Sequence, residues 1–212
     1  MISADQIKTL AKQFAEDVVQ IRRHIHANPE LSFQEFETAK YVAEQLRALG
    51  IEPKEGVAGT GLTAIIKGKN PESKTVALRG DMDALPILEA NDIDYKSTNE
   101  GVMHACGHDV HTACVLGAAR ILNELKDQFE GTIKLVFQPG EEKNPGGASL
   151  MIKDGALENP RPNRMMGQHV MPYIPTGKVG FREGMYMASA DEVYLTVKGK
   201  GGHAALPDKV ID

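Results

Sequence analysis

The chain is poor in cysteine, with only Cys106 and Cys114 in 212 residues. Two thiols cannot make a disulfide framework, so the small cross-linked secreted folds are excluded. No apolar stretch approaches the ~20 residues that cross a bilayer. The N-terminal MISADQIKTLAKQFAEDVV carries early acids and no continuous apolar core, so it does not read as a signal peptide. Basic charge is not in excess: 24 Lys and Arg stand against 29 Asp and Glu. The resulting net charge of −5 argues against nucleic acid as a main partner. There is no repeat, no long linker and no compositional bias, which removes collagen-like, coiled-coil and low-complexity readings. Together these absences predict a reduced, cytoplasmic protein with no membrane partner. What is present suffices for a core, since a chain of this length can bury roughly 70% of its unfolded surface.

Apolar spacing predicts a helix over residues 4–27 (Ile7, Leu10, Phe14, Val18, Ile21, Ile25), ended by Asn28-Pro29, and a second from about Gln34 to Leu49. Strands are expected at 62–67, 75–78, 132–137 and 164–169, and two further β segments at 178–181 and 192–198. Helices are expected at 108–126 and 148–153. Alternating strands and helices predict an α/β fold: a layered, largely parallel sheet with helices on both faces.

Four segments concentrate unusual polar residues just beyond apolar runs. Val76-Ala-Leu-Arg-Gly80 leads into Asp81-Met82-Asp83, and Met103-His-Ala-Cys-Gly-His-Asp109 opens the long helix. Leu135-Val-Phe-Gln-Pro-Gly140 leads into Glu141-Glu142, and Met165-Met-Gly-Gln168 leads into His169. Ligands of open α/β sheets bind outside the carboxyl ends of the strands, so these segments are expected to share one cleft. Cys106, His108, a carboxylate from Glu141 or Glu142, and His169 form a mixed sulfur, nitrogen and oxygen set suited to zinc, manganese, cobalt or nickel. His104 and His111 lie beside that set in sequence. Asp81 and Asp83 fit either a ligand or a supporting role. His24 and His26, near the end of the first helix, read as structural, and Cys114 as core.

Competing signatures are weak. Gly59-Thr-Gly61-Leu-Thr-Ala64 is a loose dinucleotide fingerprint with no apolar strand before it. No nucleophile elbow and no phosphate loop occurs. Two alternatives stay open: Cys106 as the nucleophile of a thiol hydrolase with His108 as base, and a metal-binding or interaction module without catalysis.

Leu78-Arg-Gly-Asp-Met-Asp-Ala-Leu-Pro86, Met103-His-Ala-Cys-Gly-His-Asp-Val-His-Thr112, Phe137-Gln-Pro-Gly-Glu-Glu142 and Gly201-Gly-His-Ala204 resemble the two-metal aminoacylase/carboxypeptidase family. Within it, the amidohydrolase branch of hippurate hydrolases, N-acyl-amino-acid amidohydrolases and indole-acetyl-amino-acid hydrolases is the most similar. The resemblance implies a metallo-exopeptidase catalytic domain over residues 1–186 and the start of a smaller α+β lid or dimerisation domain over 187–212. It further implies that one more His ligand and most of the lid lie beyond Asp212, making the chain a fragment that is poorly active by itself. By position, Cys106, His108, Glu142 and His169 correspond to metal ligands, Glu141 to the general base and Asp83 to a supporting carboxylate. His203 corresponds to a lid histidine that polarises the scissile carbonyl. Two divalent ions, zinc or manganese with cobalt or nickel as alternatives, an N-acyl amino acid substrate and a homodimer formed through the lid are implied with them.

Overall fold

The computed structural model describes residues 2–189 and 191–211. The chain divides into two units, Met1–Met171 and Pro172–Asp212. In the first unit, Ser3 opens α1 (Ala4–Ala27): its hydroxyl accepts the Gln6 N–H at 3.1 Å, and Asp5 sits in the first turn, where the helix dipole favours an acid. α2 (Phe36–Ala48) buries Val42, Ala43 and Leu46 and gives way at Leu49-Gly50, Gly50 having φ +72°.

Five strands follow: β1 (Lys54–Val57), β2 (Gly61–Lys67), β3 (Thr75–Asp81), β4 (Thr132–Gln138) and β5 (Arg164–Gly167). They form one sheet in the order β1-β2-β4-β3-β5. β4, β3 and β5 run parallel, while β2 is antiparallel to both β4 and β1. The sheet is therefore mixed rather than largely parallel. β1 and β2 are a hairpin on its flank, and the tight connection at 58–60 leaves no room for a crossover helix. That hairpin also disposes of the loose dinucleotide fingerprint, which requires a strand feeding a helix.

Side chains alternate across the strands and fill two layers. On one face Leu62, Ala64, Ile66, Leu135 and Phe137 pack with Ile21 and Ile25 of α1, Val42 and Leu46 of α2, and Ala113, Val115, Leu116 and Ala119 of α3 (His108–Glu124). On the other face Ala77 and Val136 pack with Val57, Ala156 and Met151 of α4 (Gly147–Lys153). Each large aliphatic or aromatic side chain so buried contributes about 1.5–3 kcal/mol. The expected layered α/β architecture with helices on both faces is what forms. Cys114 is half-buried rather than part of this core.

No strand forms at 178–181 or 192–198 among the described residues. The second unit instead has a short 3-10 turn, Pro207–Lys209, and an antiparallel bridge between Lys200 and Ile211. Among the described residues, no helix is long and apolar enough to cross a membrane.

Candidate metal centre

The parallel register of β3 and β4 sets the site. Asp81 stands opposite Gln138, and the Met82 N–H donates to the Gln138 carbonyl at 2.9 Å. The two acidic segments, Asp81-Met-Asp83 and Glu141-Glu142, thus leave the sheet side by side at its carboxyl edge. α3 is brought to the same edge by a close approach to β3. A Cβ on Gly80 would meet the His111 carbonyl oxygen at 3.0 Å, and the Thr112 hydroxyl donates to the Asp81 carbonyl at 2.6 Å. Gly107, at φ +87°, turns the chain into the helix so that Cys106 and His108 face the same space. β5 ends at Gly167 and delivers His169 from the third parallel strand.

His108 lies at the centre, fully buried. Its Nδ1 meets Asp83 Oδ1 at 3.1 Å, while Nε2 has no hydrogen-bond partner. That bare nitrogen is 3.6 Å from Asp81 Oδ2, 3.8 Å from Glu142 Oε1 and 3.9 Å from Glu141 Oε2. Donor atoms of Cys106, His108 and His169 lie within 4.8 Å of one another, and the same holds for His108, Glu141 and Glu142, and for Asp81, His108 and His111. His169 Nδ1 donates to the Val170 carbonyl at 2.7 Å, which leaves Nε2 as the lone-pair nitrogen, 3.4 Å from Cys106 Sγ. An orphaned buried imidazole nitrogen ringed by carboxylates, with a thiol and the imidazole it contacts beside it, fits a divalent cation in donor type and spacing.

The charges around the site express the same surplus of negative groups. Burial alone would drive His108 toward its neutral form, but Asp83, Asp81 and Glu142 together hold its pKa above the ordinary histidine value. Burial raises Glu141, and the charge of Glu142 raises it further. Burial, with Glu142, Glu141 and Asp81, pushes the Cys106 thiol up to about 12. A thiol in that state is not a nucleophile near neutrality, which speaks against the thiol-hydrolase alternative.

Asp83 ties the parts together: Oδ2 accepts the Ser32 hydroxyl at 2.6 Å and the Glu142 N–H at 3.0 Å, while Oδ1 holds His108. The buried Glu35 carboxylate does the same for the neighbouring turn, accepting the Gly140 N–H at 2.7 Å, the Phe33 N–H at 2.9 Å and the Thr60 hydroxyl at 2.5 Å. Gly140, at φ +54°, lies under the Phe33 ring, where a Cβ would come within 2.4 Å of Phe33 Cζ. Ser32 and Glu35 carried no signal in the sequence, because the bonds that tie them to the acidic segments, to Asp83 and to Gly140, span 51 and 105 residues.

Six of the residues picked from sequence, Asp83, Cys106, His108, Glu141, Glu142 and His169, come together here. His203 belongs to the second unit, where its Nδ1 accepts the Ala205 N–H at 3.1 Å. His104 is buried and in none of the three donor groups, both its ring nitrogens lack a partner among the described residues, and burial lowers its pKa to about 4. His26 is structural, as expected. It is buried between Asp109, at 2.8 Å from Nδ1, and Glu89, at 2.9 Å from Nε2. It thereby fastens α1 to the residue that follows His108.

The family model that describes Peptidase family M20/M25/M40 matches residues 77–209, well over half of the chain and almost all of this centre. The chain belongs to that family. It is 46% identical over 210 residues to thermostable carboxypeptidase 2 of Saccharolobus solfataricus, covering 98% of this chain and 53% of that protein. It is 42% identical over 211 residues to the N-acyl-L-amino acid amidohydrolase of Geobacillus stearothermophilus, covering 100% of this chain and 56% of that one. Among solved structures, the YXEP protein of Bacillus subtilis, described as a dinuclear metal binding peptidase from the M20 family, superposes with a TM-score of 0.76. It is 39% identical, over 82% of this chain and 47% of that chain. This chain spans about half the length of the curated relatives it matches.

Proposed function

We propose that the chain carries the N-terminal part of the catalytic domain of a metal-dependent amidohydrolase. Its reaction is hydrolysis of the amide bond of N-acyl amino acids to a carboxylic acid and a free amino acid. The observation that carries this reading is the bare Nε2 of buried His108, set between the Cys106–His169 pair and the Glu141–Glu142 pair. The name of the 42% identical Geobacillus relative supports the substrate class.

In this reading Cys106, His108, Glu142 and His169 hold two divalent ions, zinc or manganese. Bound there, the ions supply Lewis acidity, lowering the pKa of water from 15.7 toward about 7 and polarising the scissile carbonyl. Asp83 grips His108 Nδ1 and so aims Nε2 at the cation. Glu141, with a side chain 42% exposed against 23% for Glu142, faces the solvent side of the pair. That position suits a base that takes a proton from water and returns it to the departing amine nitrogen. Residues 1–186 form this part of the catalytic domain, and 187–212 open a lid through which the whole protein dimerises. His203, on that lid, polarises the scissile carbonyl.

Elemental analysis of the purified chain tests the centre. Cys106→Ser and His108→Ala should each lower bound zinc. Unchanged stoichiometry in both would remove these residues from the ligand set, whereas retained zinc without chelator-sensitive amino acid release by the whole protein would favour the binding-module alternative.

A further inference from the structure

His111 belongs to one of the three donor groups around His108, yet both of its ring nitrogens are already engaged. Nε2 receives the Val170 N–H at 2.9 Å. A backbone amide can only donate, so Nε2 must carry the lone pair and Nδ1 the proton. Nδ1 donates to Asp81 Oδ1 at 2.7 Å. Asp81 is itself anchored, through Oδ2 to Arg79 Nη1 at 2.5 Å and through its carbonyl to Thr112. The chain Arg79–Asp81–His111–Val170 therefore runs from the end of β3 through the first turn of α3 to the residue after His169. Two contacts reinforce its far end. The His111 and His169 rings lie 4.5 Å apart at 64°, and Val170 Cγ2 occupies the space a Cβ on Gly107 would need, 2.3 Å away. His169 is the most exposed of the nitrogen donors and sits beyond the end of a four-residue strand, so its place is set by what holds Val170.

We propose that His111 is a positioning residue: it transfers the fixed position of the β3 end to the Val170 amide, and so places His169 beside Cys106 and His108 for a cation without binding the cation itself. This rests on the metal-centre reading above. It also separates the three donor groups: those containing Cys106 and Glu142 are for cations, and the Asp81–His111 pair is the brace behind them.

The test is histidine side-chain ¹⁵N NMR on the 212-residue protein, with zinc as the probe. His111 should show the Nδ1–H tautomer before and after zinc, while the unprotonated nitrogens of His108 and His169 shift as zinc is added. In His111→Ala the Val170 amide proton should move upfield and zinc affinity should fall by about 10–100-fold, the usual cost of losing an outer partner of a ligand. His111→Gln offers one donor and one acceptor and should recover part of that loss. A ligand-type shift of His111 Nε2 on zinc addition would overturn the proposal. So would an His111→Ala protein with unchanged zinc affinity and an unmoved Val170 amide. Should His111→Ala fail to fold, the tautomer and zinc response of the unaltered protein decide the matter. Zinc that perturbs none of the three histidines would instead bring down the metal-centre reading, and this proposal with it, a result distinct from either outcome above.

Discussion

Glu35 offers a quantitative check on how the acidic turn is held. Its carboxylate is fully buried and serves two amides and one hydroxyl at once. Replacing it with Ala strands the Gly140 and Phe33 N–H groups, each costing about 1–3 kcal/mol when buried without a partner. Since the Phe33 amide is only partly buried, the expected loss is about 2–4 kcal/mol. With a urea slope of about 2 kcal/mol/M, that lowers the denaturation midpoint by about 1–2 M. Gln should behave differently. Its Oε1 still accepts both amides, and the Thr60 hydroxyl can turn to accept from the new amide nitrogen, so the loss should stay below about 1 kcal/mol. The parent should also separate from both variants with pH. Burial raises the Glu35 pKa in the folded protein above its ordinary value of 4.5, against the opposing pull of its hydrogen bonds. The folded state therefore holds this proton more tightly than the unfolded chain. Its contribution to stability is greatest below the unfolded pKa and falls as pH climbs through the folded one. Glu35→Gln should accordingly gain on the parent between pH 4 and pH 7. Urea melts of parent, Gln and Ala proteins at those two pH values measure all of this. A Gln variant as damaged as Ala at both, or an Ala variant within about 0.5 kcal/mol of the parent, would refute the reasoning.

In the proposed amidohydrolase, Glu141→Gln should keep its metal and lose about 10²–10⁴-fold in turnover, whereas Glu142→Gln should lose metal as well; equal metal loss in both, by elemental analysis, would undo the division of roles. His26→Ala leaves Asp109 and Glu89 buried without their shared partner and should cost about 3–5 kcal/mol in a chemical melt. The hydrogen bond that His26 donates to Asp109 raises the folded His26 pKa above 6.5, against burial and with help from Glu89. The parent's advantage over His26→Ala should therefore be fullest below that value and decline as pH rises through the folded pKa; an advantage that grows toward alkaline pH contradicts the network. Lys134, buried in β4, donates to the carbonyls of Ala156 at 2.9 Å and Glu158 at 2.7 Å. Lys134→Ala should cost about 1–3 kcal/mol by stranding those carbonyls and emptying the site, and thermal melting that leaves it unchanged would show the contact to be idle.

Much of the architecture was legible because its signals are local. The 3.6-residue spacing of Ile7, Leu10, Phe14, Val18, Ile21 and Ile25 predicts α1 at its observed limits, and the apolar run of Thr132–Phe137 predicts β4 to within one residue. β1 was not legible: three of the four residues in Lys54–Val57 are exposed, so an edge strand of a hairpin left no apolar pattern to read. The opposite error occurred at 192–198. Val193, Leu195 and Val197 alternate as a strand should, yet they are 78%, 87% and 90% exposed and lie in no strand. Period-two patterning states what a segment would bury, not that a partner strand is at hand. The clustering of the candidate donors was legible because unusual polar types followed apolar runs. Their supports Ser32 and Glu35 were not, because a hydrogen bond closed over tens of residues leaves no trace in local pattern.

The pairing of Asp81 with Gln138 has a consequence for how this protein can vary in length. A deletion of one residue within β3 or β4 would retract one acidic loop by about 3.3 Å and invert which side chains face each helix layer. The opposed carboxylates would then no longer meet at His108. Insertions and deletions are consequently shut out of residues 75–81 and 132–138. The irregular stretch between Pro86 and Met103 is pinned to its surroundings mainly through Glu89, Thr98 and Asn99. It can lengthen or shorten between those pins while the strand ends keep their common level.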